Sequence, residues 1–162
     1  MVPITPALVD EVWAEITRYA PERVQVEARE FLGRQPHAAA FARRFAPAAD
    51  AAVQQAAVGL AYLLFKILER SLGRPFPPLA EERIARAWEA NARWLERAEA
   101  SPGQVLEAVG SAAHPSLVAY ILEAFYGGEA AACDPAVRAG LLVMLKTLTE
   151  ALDIAAVEGS TP

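Results

Sequence analysis

Side chains suited to metal or nucleophilic chemistry are few in this chain of 162 residues: two histidines, His37 and His114, and one cysteine, Cys133. Di-metal carboxylate bundles place a Glu three residues before a His on each of two helices. Arg34 and Ser111 hold those positions here, and neither a His-Glu-x-x-His nor a paired-cysteine pattern occurs. No metal and no other cofactor is therefore expected. A Gly-x-Ser-x-Gly elbow, a Ser-x-x-Lys and a glycine-rich phosphate loop are also missing. Cys133 stands beside Asp134, whose charge would raise the thiol pKa while a following helix N-terminus would lower it. It is read as an inert loop thiol. The chain is accordingly not expected to be an enzyme. Should it be one, its acid–base groups would be carboxylates and a histidine gathered by the fold, with Glu30, His37 and Glu69 the first candidates.

Binding features are more informative. Asn91 falls between Trp88 and Leu95 on the apolar face of a helix, where a buried amide must find partners or cost about 1–3 kcal/mol. It could bond a neighbouring element, set an interface register or hold a ligand. Gln35-Pro36-His37 opens a short helix that ends in Arg43 and Arg44, a set able to receive an anion or an acidic partner. Trp94 lies at the border of its helix's apolar stripe, the position of an interface anchor.

These residues must be held by helices. Strand patterns are nearly absent, alanine is abundant, and apolar residues recur at three and four. Thr5-Pro6 reads as N-cap and first helical position, followed by the stripe Leu8, Val9, Val12, Trp13, Ile16 and Tyr19. Pro21 opens a second helix with Val24, Ala28, Phe31 and Leu32 inward. The third, from Gln35-Pro36, turns Ala38, Phe41 and Phe45 inward. A long central helix over about 48–72 ends at Gly73. It carries one stripe of Val53, Ala57, Leu60, Leu64, Ile67 and Leu68 and a second of Val58, Tyr62 and Phe65. Two apolar faces mean either a helix sandwiched in its own domain or half of a subunit interface. A helix over about 79–99 follows Phe76-Pro77-Pro78, with Ile84, Trp88, Leu95 and Ala98 on one face. Ser101-Pro102 and His114-Pro115 open two more, and Asp134-Pro135 starts a last helix over about 134–157. Its stripe is Val137, Leu141, Met144, Leu145, Leu148, Leu152 and Ala155.

The fold class expected is all-α: a compact bundle of seven or eight helices around the 48–72 and 134–157 helices. One domain is expected over residues 1–157, with a short polar tail at 158–162. At 54% hydrophobic and 22% charged, the chain can bury a sizeable core and is not a disordered segment. Net charge is −5, and the helix opened by His114-Pro115 carries no Lys or Arg between Ser116 and Tyr126, so nucleic acid is not an expected partner. Charge is uneven: residues 34–74 hold six bases against two acids, and residues 75–162 six against twelve. The longest uninterrupted apolar run, Ala56 to Phe65, is shorter than the roughly 20 residues of a membrane span. With a lone cysteine and no secretory leader, a cytoplasmic location without membrane attachment is expected.

What remains is a protein–protein interaction module, expected to self-associate as a dimer, with Val58, Tyr62, Phe65 and Trp94 as interface candidates. The alternative is a small-molecule-binding helical domain with an apolar, aromatic pocket. Asn91, His37, Arg43 and Arg44 are the candidates for ligand or anion contacts.

Overall fold

A computed structural model describes residues 3–44, 50–98, 114–126 and 135–158. Among these residues the protein is all-α, with seven helices and no strand. They are α1 (Pro6–Thr17), α2 (Pro21–Arg34), α3 (Pro36–Arg44), α4 (Ala51–Leu72), α5 (Glu81–Ala98), α6 (Pro115–Tyr126) and α7 (Pro135–Glu158). The helix expected after Ser101-Pro102 lies outside the described residues, as do Phe45 and Cys133.

Local chemistry sets the ends. The Thr5 hydroxyl accepts the Leu8 N–H at 3.3 Å, and Pro6 sits at the first helical position, where its missing N–H leaves no bond unmade. The central helix begins at Ala51 rather than near residue 48. Asp50 is the cause: its carboxylate accepts the N–H groups of Ala52 and Val53, each at 3.1 Å. At the other end Gly73 has φ 69° and returns its N–H to Glu69, a left-handed cap that suits glycine. Similarly, α5 spans 81–98 rather than 79–99, because Pro77-Pro78-Leu79 stays extended until the Ala80 carbonyl accepts the first turn's N–H groups.

The core is one cluster to which all the described helices contribute. On α4 the expected stripe is inside: Ala57, Leu60, Leu64, Ile67 and Leu68 are buried. By length and composition α4 could cross a membrane, with mean hydropathy 1.5 over its most apolar window, yet 44% of that window is buried within the protein itself. The last helix departs from the one-sided stripe: every residue from Leu141 to Thr149 is buried. A helix buried around its whole circumference must hide its polar groups in bonds. Thr147 and Thr149 donate back to the carbonyls of Val143 and Leu145 at 2.8 and 2.6 Å, a bond a threonine in a helix can make without any neighbour. Around these helices, α1 lies on α4 and α6, α3 bridges α4, α5 and α7, and α5 runs along α7.

Candidate functional site: a groove between α1, α2 and α4

The second helix is the least embedded element. Of the apolar face expected to point inward, Phe31 is buried and Leu32 partly so, whereas Val24 is 48% exposed and Ala28 is exposed. That expectation is corrected, and the cause is how α2 is attached. Phe31 inserts edge-on between Tyr62 and Phe65, with centroids at 5.7 and 5.5 Å. Arg34 makes a paired contact with Glu69, 3.3 Å to each oxygen, and Glu27 is held by α4. Between these tethers α2 stands off from the first half of α4, and a groove of about 840 Å³ opens there. Trp13 and Ile16 of α1 form one wall and Val24, Ala28 and Leu32 of α2 the other; Val58, Gly59 and Leu63 of α4 lie along it. A Cβ added to Gly59 would meet no neighbouring element within 4 Å, so the space directly above α4 there is open.

A polar network bounds the groove. Glu27 accepts the Tyr62 hydroxyl at 2.6 Å and the Lys66 ammonium at 3.2 Å. Lys66 lies 5.9 and 5.8 Å from the ring centroids of Tyr19 and Tyr62, and Arg23 stacks over Tyr19 at 3.8 Å, both within cation–π reach. Tyr19 donates to Glu15 at 2.6 Å, and Arg70 pairs with Glu15 and with Glu11. The Tyr19 and Arg70 hydrogen bonds hold the Glu15 carboxyl below its ordinary value. At Glu27 burial pulls upward, but the Tyr62 and Lys66 bonds outweigh it and the net shift is downward. Burial and the Glu27 carboxylate together push the Tyr62 phenol well above its usual range.

The residues singled out from sequence are dispersed. Val58 lies half-buried in the groove, and Tyr62 lies beside it with its hydroxyl engaged by Glu27. Phe65 is not an interface residue of this chain's surface: it is 1% exposed, packed between Phe31 and Phe76. Of the second stripe of α4, only Phe65 is enclosed, by Phe31 of α2 and by Phe76, while Val58 and Tyr62 line the groove. The Trp94 side chain lies outside the described residues. Residues His37, Arg43 and Arg44 do not form one anion site. His37 opens α3 beside Glu81, Nδ1 to Oε2 3.9 Å, while Arg43 and Arg44 are both exposed and of the two only Arg43, in the last turn, lines the groove. Gln35 is consumed elsewhere: buried, it donates to the carbonyl of Pro77 at 3.0 Å and accepts the Leu79 N–H at 2.9 Å, clamping the proline-rich connector. Of the acid–base candidates, Glu69 is committed to Arg34 and to the Phe76 N–H at 2.9 Å, Glu30 is exposed, and no hydrogen bond joins any two of Glu30, His37 and Glu69. Among the described residues no cluster of His, Cys, Asp and Glu side chains is gathered as a metal-binding set.

Asn91 is 2% exposed and stands in a ring that periodicity did not foresee. Its amide donates to the Thr147 hydroxyl at 3.1 Å and to Glu150 at 2.8 Å, and its carbonyl accepts from Lys146 at 2.7 Å. Lys146 closes the ring on Glu150, four residues along α7. A lysine inside the run Leu141 to Leu148, with a carboxylate four residues on, was the available sequence signal. The bonds among the four side chains tie α5 to α7, with the Asn91 amide engaged at both ends.

Comparison with family profiles, curated proteins and solved structures gives no match to this chain. The functional reading therefore rests on the groove.

Proposed function

We propose that this chain is a ligand-binding helical domain and that the α1–α2–α4 groove is its binding site. The observation that carries the reading is the groove's size and lining. Its volume of about 840 Å³ falls in the range of roughly 300–1,000 Å³ typical of small-molecule sites. Most of its lining is aliphatic or aromatic, with Gln25, Glu27, Arg43, Gln54 and Gln55 as the polar and charged members. The test uses Nile red, an uncharged dye that fluoresces on entering apolar surroundings. Wild type should take it up, and Gly59→Leu, whose Cβ enters open space and whose larger side chain extends into the groove, should lose most of that signal with unchanged circular dichroism. Equal uptake by both proteins would exclude the groove as the site.

A second reading, a protein-interaction module that self-associates, is favoured by a different observation. Two large hydrophobic residues are exposed on α2, Val24 at 48% and Val26 at 49%. They sit on different sides of that helix, so one can face the groove while the other meets a partner. Native mass spectrometry of the purified protein separates the readings: a retained small mass on a monomer supports the first. A dimer that Val26→Glu dissociates supports the second.

A further inference from the structure

The groove's lining distinguishes among ligands once its polar groups are accounted for one by one. Tyr19 is bonded to Glu15, and Glu27 and Tyr62 are bonded to each other and to Lys66. Those charges are balanced within the protein. Gln25, Gln54 and Gln55 are neutral. Arg43 alone brings to the groove a charge with no ion-pair partner among the described residues. It arrives from the last turn of α3, while Gln54 and Gln55 come from the first turns of α4. Tyr62 stands eleven residues beyond Ala51, about 17 Å along the helix axis, and the lining in between includes Val58, Gly59 and Trp13. An elongated apolar trough with a single guanidinium suits a molecule with an aliphatic chain and one negative charge.

We infer that the groove binds a free fatty acid, its chain along α4 and its carboxylate on Arg43. This rests on the ligand-binding reading above and specifies its ligand class. A carboxylate matches the planar guanidinium fork and carries the one charge that a single arginine balances. A phosphate monoester, with up to two charges, would leave one uncompensated here.

The test is isothermal titration with three twelve-carbon probes differing only in head group, each below its micelle-forming concentration: laurate, dodecyl maltoside and dodecyltrimethylammonium. Laurate should bind wild type about tenfold more tightly than the other two, the scale of one charge-assisted pair. Arg43→Glu should abolish that preference and make the cationic probe the tightest. Arg44→Glu changes net charge identically on a residue outside the groove lining and should leave laurate binding intact. Equal loss in both variants would show long-range charge at work and overturn the assignment. Equal affinity for all three heads, lost in Gly59→Leu, would overturn the fatty-acid assignment while leaving the groove a ligand site. Binding of none of them, with no Nile red uptake, would bring down both.

Discussion

Asn91, Lys146, Thr147 and Glu150 place two charges and two polar groups where an all-apolar contact would have served. Their cost is offset only while every partner is present, because an orphaned polar group in a protein interior retains its full desolvation penalty. Asn91→Leu should therefore destabilise the protein by about 2–3 kcal/mol in urea denaturation, since it strips one partner each from Lys146, Thr147 and Glu150. The ionisable groups around α2 make a second prediction. Glu15 and Glu27 titrate below their ordinary value of 4.5 in the folded chain. Their contribution is present above that value and is lost as pH falls through the lowered folded values. Tyr62 and Lys66 are raised above 10.0 and 10.5, so their contribution is present below those values and is lost as pH rises past them. The urea midpoint should fall at both extremes, and Glu27→Gln should flatten both arms.

Glycines in helices separate local conformational preference from packing. Gly59 lies within α4 with open space at its Cβ, and a helical glycine costs about 0.5–1 kcal/mol relative to alanine. Gly59→Ala should raise the thermal midpoint. Gly73 also has space around it, but its φ of 69° is one that L side chains rarely adopt. Gly73→Ala should lower the midpoint, by about 1 kcal/mol of stability. Two Gly→Ala changes in open space, one inside α4 and one at its C-terminal cap, are thus expected to have opposite signs. Should both stabilise, the left-handed cap is not a constraint in solution.

The whole molecule determines whether the same kind of side chain is core or binding surface. Val58 and Phe65 were assigned to one stripe of α4 by the helical period, yet Val58 lines the groove and Phe65 is enclosed. Val58→Glu should keep the fold and weaken whatever the groove binds. Phe65→Ala should cost about 3–5 kcal/mol, and Phe65→Glu should leave the chain unfolded. Circular dichroism and thermal melts of the variants check this directly. A folded Phe65→Glu protein would mean that α2 lifts away and exposes the second face, which would restore the self-association reading.

The sequence by itself determined what short-range chemistry controls. Thr5-Pro6, Pro21, Pro36 and Pro115 open helices where a proline needs no N–H bond, and Gly73 ends one where a left-handed residue is needed. Period and capping also assigned Asn91 to an apolar face and made the chain all-α, because each rests on neighbours within a turn or two. Tertiary structure alone decided which apolar face meets which neighbour. It enclosed Phe65, left Val24 and Ala28 outside, and buried Lys146 against Asn91. It also took Gln35 for the connector and sent Arg43, not His37, to the groove. Periodicity identifies a face but carries no information about its partner. The groove exists because α2 is tethered through Phe31, Glu27 and Arg34 to residues far away in the chain.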